Sequence, residues 1–143
     1  MRQLSLALLV LVAAGCASSS RPASVSAPEI AVQAGSIFFG SSYSAPLTLD
    51  VAVRNTANVP LRLRNVRIDA SGMSQYTIAP VERIVNQTLA PGETKVVSLF
   101  ATAYTNRARL NVTEPLSVRA LVELDYNGQR FREVVLRPLV SGP

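Results

Sequence analysis

The stretch VRALVELDYNGQRFREVVL constrains the fold more tightly than any other part of the chain. Val118, Ala120, Val122, Leu124 and Tyr126 fall on alternate positions, a spacing that a helix scatters around its surface and a strand sets on one face. Asn127-Gly128 then offers the two positive-φ residues of a type I′ turn. The spacing predicts a hairpin in which Tyr126 faces Gln129, Asp125 faces Arg130, Leu124 faces Phe131 and Glu123 faces Arg132. Both charged pairs then lie on the face opposite Leu124 and Phe131, which favours this register over its neighbours.

The same period of two runs upstream. Ile30-Ala31-Val32 predicts a first strand, and Leu47, Leu49, Val51 and Val53 alternate with polar or small residues in a second. NTANVP, from Asn55 to Pro60, closes that strand and permits a tight connection. Leu61 and Leu63 share one phase while Val66 and Ile68 share the other, so a bulge near Arg64-Asn65 is required to keep all four on one face. Tyr76 and Ile78 mark a short strand, Val81, Ile84 and Val85 another, and TKVVSLFATA a third after the Ala90-Pro91-Gly92-Glu93 turn. Ile37-Phe38-Phe39 continues the first strand, whole or broken, with Gly35 and Gly40 as punctuation, and the stretch from Asn106 to Pro115 allows a short strand, a helical turn or a loop. About six to eight strands with no sustained helical period predict an all-β, immunoglobulin- or fibronectin-III-like antiparallel sandwich over residues 30–143. At 143 residues the chain has room for one such domain.

LTLDVAVRNTANVPLRLRNVRIDASG, with the later APGETKVVSL and YNGQ, resembles the late embryogenesis abundant type 2 (water-stress, LEA-14-like) domain. In that family a strand enters an Asn-Pro-Asn turn and leaves in an apolar strand that ends near a glycine. Asn55 and Asn58 stand for the two asparagines, although Thr56-Ala57 adds a residue and loses the proline. The resemblance spans residues 45–138 and implies a fibronectin-type sandwich without implying a chemistry.

The N-terminus carries a different signal. Arg2 precedes an apolar run, Leu4 to Val12, and Ala13, Ala14 and Gly15 lead to Cys16, the only cysteine of the chain. This run is too short to span a bilayer as a helix. LVAAGC resembles the lipobox of bacterial lipoprotein signal peptides, with Ala13 where leucine is commoner. The resemblance implies cleavage between Gly15 and Cys16, a diacylglycerol on the thiol and a fatty acyl chain such as palmitate on the new amine. Two or three chains hold a protein to the bilayer firmly where one does so marginally. Ala17 in place of an aspartate implies the outer membrane, with the domain facing the periplasm. Residues 1–15 are then the signal peptide, and 16–29, rich in Ser, Ala and Pro, a flexible tether.

Composition narrows the chemistry. The chain has no histidine and one cysteine, so it lacks the commonest metal ligand, the usual neutral-pH base and any internal redox pair. No metal or cofactor is expected. G-x-S-x-G and Ser-x-x-Lys are missing, and Asp50, Asp69, Glu82, Glu93, Glu114, Glu123, Asp125 and Glu133 are scattered, so no catalytic residues are assigned. Thirteen arginines and one lysine against nine acids give a formal charge of +5, but the cations come singly and without an aromatic stacking platform, which argues against nucleic acid.

Arg62, Arg64 and Arg67 are candidates for contact with an anionic partner, whether lipid phosphate or acidic protein, since guanidinium groups bind such anions bidentately. Read instead as edge-strand charges, Arg62, Arg64 and Lys95 would prevent sheet-to-sheet aggregation. Tyr43, Tyr76 and Tyr104 are candidates for protein recognition or for rim packing. Asn86-Gln87-Thr88 and Asn111-Val112-Thr113 match glycosylation sequons, which carry no meaning in a bacterial lipoprotein.

The functional expectation is a non-catalytic envelope lipoprotein with a protein-interaction or envelope-structural role. The competing expectation is a periplasmic carrier or chaperone holding an apolar ligand between the sheets, in a cavity lined by residues such as Leu49, Val51, Phe100 and Val122.

Overall fold

A computed structural model describes residues 20–35, 42–71, 76–105 and 116–139. Eight strands form two antiparallel sheets: β1 (Glu29–Ala34), β2 (Ser44–Arg54), β3 (Leu61–Ala70), β4 (Tyr76–Ile78), β5 (Val81–Leu89), β6 (Thr94–Thr105), β7 (Leu116–Tyr126) and β8 (Gln129–Leu139). Sheet A runs β1-β2-β6-β4 and sheet B runs β5-β3-β7-β8. Only β1–β2 and β7–β8 are consecutive strands within one sheet, so the chain crosses between layers at each of the five connections from β2 to β7. This is the all-β antiparallel sandwich that the alternation predicts.

Alternation decides what each strand buries. β2 turns Ala45, Leu47, Leu49, Val51 and Val53 inward, β7 turns Val118, Ala120, Val122 and Leu124 inward, and all are buried. Leu61, Leu63, Val66 and Ile68 are fully buried together because the β3 register shifts between Leu63 and Asn65 against both neighbours. The bulge accommodates the phase change read in the sequence. Each fully buried Leu, Val or Phe contributes about 1.5–3 kcal/mol of transfer free energy, and this shared interior joins the two sheets.

The C-terminal hairpin has the predicted register, with Tyr126 opposite Gln129, Asp125 opposite Arg130, Leu124 opposite Phe131 and Glu123 opposite Arg132. Asn127 and Gly128 take φ of 51° and 80°. Phe131 is fully buried. Two prolines lie inside strands at positions where a missing N–H costs no ladder bond. Pro46 pairs with Thr102, whose carbonyl accepts from Ala79 N on the side away from β2. Pro138 pairs with Ser117, whose carbonyl accepts from Ser71 N on the side away from β8. Each proline nitrogen therefore points away from its paired strand.

Two expectations change. β3 lies between β5 and β7, so Arg62 and Arg64 are on an interior strand and do not guard an edge. Neighbour order depends on pairings that β3 alone does not encode. The tether expected over residues 16–29 also overlaps a packed stretch. Val25 is 2% exposed, Pro28 is buried, and Val25 N donates to the Pro22 carbonyl at 3.0 Å. Arg21 pairs with Glu133 of β8 at 3.1 Å and donates to the Val25 carbonyl, while Thr56 donates to the Ala27 carbonyl. This segment closes the sandwich on the side where β1 and β8 form the sheet edges. Cys16 and the rest of residues 1–19 lie outside the described residues.

Candidate functional site

The outward faces of the two sheets differ in chemistry. On sheet B the arginines sit among acids. Arg119 makes a bidentate pair with Asp69, Nε to Oδ1 at 2.8 Å and Nη2 to Oδ2 at 2.9 Å. The hydrogen bond and charge of Asp69 raise the Arg119 pKa above its ordinary value. Arg67 also approaches Asp69, at 3.7 Å, and Arg64 and Arg132 lie 4.0 Å from Asp125 and Glu123 respectively. Asn65 Nδ2 donates to Glu82 at 2.8 Å and to Glu123 at 3.0 Å, holding the two carboxylates on either side of one amide.

Of the three arginines singled out in the sequence, Arg64 and Arg67 are therefore turned toward acids of their own sheet. Arg62 is exposed and stands opposite Asp125, with no ion pair within 4.0 Å among the described residues. The three share a strand but not an unclaimed anion site. Alternation could not show this for Arg64, because Asp125 comes from β7, far along the chain, whereas Asp69 lies only two places from Arg67 on β3.

Sheet A presents the opposite character. Its outward positions are Glu29, Ala31 and Gln33 on β1, then Ser44, Pro46, Thr48, Asp50, Ala52 and Arg54 on β2, and Thr94, Val96, Ser98, Phe100, Thr102 and Tyr104 on β6. Glu29 and Arg54 pair at 3.5 Å at one end, which leaves Asp50 as the sole charge across the middle of these three strands. Phe100 is 75% exposed, and Val96, Tyr104 and Tyr43 are exposed with it. Asp50 lies between Gln33 and Ser98, and its Oδ1 is buried without a hydrogen-bond partner.

Phe100 was expected to line a cavity with Leu49, Val51 and Val122. It pairs with Thr48 on the outer face, while the other three are fully buried in the core. The error is one of phase. In KVVSLF both Val96 and Val97 are apolar, and the structure buries Val97 and Leu99 rather than Val96 and Phe100. The four residues do not converge on one cavity. Tyr76 is buried beneath the rim, whereas Tyr43 and Tyr104 are exposed. Asn86 of the first sequon is exposed at φ 52°, and Asn111 lies outside the described residues, as does Glu114.

Among the described residues two shallow clefts open to solvent. One, of about 240 Å³, lies between the β5 and β6 edges and includes Arg83, Gln87, Lys95 and Ser98. Arg83 crosses it to donate to the Ser98 carbonyl at 2.8 Å. The other, of about 230 Å³, lies over Ala31, Ala52 and Thr94. Among the described residues no cluster of three potential metal ligands occurs, and no helix is long and apolar enough to cross a membrane.

No protein-family model matches this chain, and no curated protein matches it. Among solved structures it is similar to a Northeast Structural Genomics Consortium target, SoR45, at 13% identity and a TM-score of 0.58, over 82% of this chain and 88% of that one. A protein from Archaeoglobus fulgidus is similar at 14% identity and a TM-score of 0.45, over 78% and 93% of the two chains. A FixG-related protein from Vibrio parahaemolyticus is similar at 15% identity and a TM-score of 0.41, over 82% and 98%. The first of these likenesses supports the β-sandwich class.

Proposed function

We propose that this chain is a non-catalytic envelope lipoprotein, anchored in the outer membrane through acylated Cys16, whose periplasmic LEA-type-2-like sandwich serves as a protein-interaction or envelope-structural module. The anchor rests on the lipobox resemblance of LVAAGC. The interaction role rests on one observation: Phe100, Val96 and Tyr104 stand exposed on a sheet face with a single central charge, Asp50. A solvated sheet face is ordinarily polar on alternate positions. An exposed apolar patch framed by neutral polar side chains marks a contact surface.

The test has two arms. Mass spectrometry of the purified chain is expected to find Cys16 acylated and N-terminal, and Cys16→Ser is expected to release the protein from sedimented membranes. A photoreactive phenylalanine analogue at position 100 is expected to crosslink one defined envelope protein in intact cells, with the adduct lost in Asp50→Asn. Firm membrane retention of the Cys16→Ser protein would sink the anchor. An absence of adducts from positions 96, 100 and 104 alike would sink the interaction role.

A further inference from the structure

The point where the folded part begins has a geometric consequence for how the domain meets the bilayer. Arg21 is fixed against Glu133 at 3.1 Å, and only five peptide steps separate it from Cys16. At no more than ~3.6 Å per residue, those steps reach about 18 Å when fully extended. An 11-residue strand such as β8 is longer, at about 37 Å. A domain tied this way stays close to the lipid surface, with the β8 side leading.

The chemistry of that side fits a membrane. On its outward phase β8 carries Arg130 and Arg132 with Val134 and Leu136, which are 54% and 61% exposed, and Arg137 stands exposed at the same edge on the alternate phase, opposite Val118. Its one acid, Glu133, is engaged by Arg21. Of the three β8 arginines, only Arg132 has an acid within reach, Glu123 at 4.0 Å, among the described residues. The neighbouring acids Glu123 and Asp125 have side chains only 16% exposed, and Glu29 on β1 is paired with Arg54. The nearest cations of sheet B, Arg67 and Arg119, are turned to Asp69. Arginine beside exposed aliphatic side chains is the composition of a surface that sits among lipid headgroups, the guanidinium on phosphate and the apolar groups at the acyl boundary.

We propose that the β8 edge, through Arg130, Arg132 and Arg137 with Val134 and Leu136, docks the domain on anionic phospholipid headgroups, holding β8 toward the bilayer. This rests on the reading that Cys16 is acylated. It leaves the outward face of sheet A, on the other layer of the sandwich, open to a protein partner. Edge-strand arginines also discourage strand pairing between copies, but that role needs neither the short tether nor the exposed Val134 and Leu136.

Acylation of Cys16 leaves any introduced cysteine as the single free thiol, which makes the test direct. Nitroxide labels are placed at Val134→Cys or Phe100→Cys in the acylated full chain. The protein is reconstituted on vesicles of phosphatidylethanolamine with phosphatidylglycerol, or of phosphatidylcholine alone, and label depth is read from collision with nickel and oxygen relaxants. The label at 134 is expected in the headgroup layer on phosphatidylglycerol vesicles, and in water on phosphatidylcholine or at high salt. The label at 100 is expected in water throughout.

Each Arg→Gln change at 130, 132 or 137 is expected to lower the docked-to-undocked ratio about fivefold. The Arg62→Gln/Arg67→Gln double variant is expected to leave it unchanged, and circular dichroism confirms that each variant is folded. An aqueous label at 134 on phosphatidylglycerol vesicles, or docking indifferent to lipid charge, overturns the proposal while leaving the anchor intact. An adduct-free, unacylated Cys16 in the mass spectrum overturns the anchor and this proposal together.

Discussion

Asn55 Nδ2 donates to the Leu89 carbonyl at 3.0 Å, joining residues 34 positions apart at one end of the sandwich. The same nitrogen donates to the Val59 carbonyl at 2.8 Å, and Oδ1 accepts from Ala57 N at 3.0 Å. Its backbone is held as well, N to the Glu93 carbonyl at 2.9 Å and its carbonyl from Gly92 N at 2.8 Å. The side chain is fully buried and ties the β2–β3 connection to the β5–β6 turn. The asparagine of NTANVP is therefore more than a turn former.

Asn55→Ala would leave the Ala57 N–H and the Val59 and Leu89 carbonyls without this partner in a buried site. The expected cost is about 2–4 kcal/mol, measured by urea unfolding monitored by circular dichroism. Asn55→Asp is expected to be no better, because it restores the acceptor for Ala57 but turns an oxygen toward two carbonyls. A loss below about 0.5 kcal/mol for the alanine variant would show that the turn bonds are replaceable by water.

The two phenylalanines within the described strands separate burial from exposure. Phe131 is fully buried opposite Leu124, and Phe100 is 75% exposed opposite Thr48. Phe131→Ala is expected to cost about 3–5 kcal/mol and to lower the melting temperature by roughly 10–20 °C. Phe100→Ala is expected to shift stability by less than about 0.5 kcal/mol. Differential scanning calorimetry of both variants tests the phase of β6 directly, since a slip of one residue would bury Phe100 and make its replacement costly as well.

This contrast marks where the sequence is readable. Phe131 could be placed because its register is set locally by Asn127-Gly128 and by the charge pairs flanking Leu124. The bulge at Arg64-Asn65 was legible for a similar reason, as four apolar residues demanded it. Phe100 was not, because Val96-Val97 fits either phase and only pairing with β2, some fifty residues away, decides. The same non-locality hid Asp125 beside Arg64, and the docking of Val25 behind a serine-rich stretch.

The Asp69–Arg119 pair sets an expected pH profile. Arg119 has its pKa raised in the folded protein, so its contribution is complete below the unfolded value and fades only as pH climbs through the folded value, in strongly alkaline solution. The chain has no histidine, and no side chain has an ordinary pKa between about 5 and 8. The melting temperature is therefore expected to be flat from about pH 6 to 8. Arg119→Gln is expected to lower it by the same amount at every pH in that window. A gap between variant and parent that changes across the window would show that another group titrates with the pair.

The packed segment before β1 gives the last test. Val25 is 2% exposed and Arg21 is bound to Glu133, so the segment is expected to protect its buried amide from exchange, unlike a free linker. Val25 N, bonded to the Pro22 carbonyl, is the amide to follow. Val25→Asp places a charge in the core margin and is expected to free the segment, raising exchange at residue 25 at least tenfold while Val51 and Val122 on the central strands keep their protection. Glu133→Gln is expected to do so more mildly, because the pair is only half-buried, with side-chain exposures of 34% and 26%. Freeing the segment would lengthen the reach between Cys16 and the sandwich from about 18 Å to as much as about 43 Å, the extended length of the twelve steps to Pro28. Cleavage by elastase after Ala23 reports the same change: it should be slow in the parent and fast in Val25→Asp, and equal rates would mean that the segment is not held.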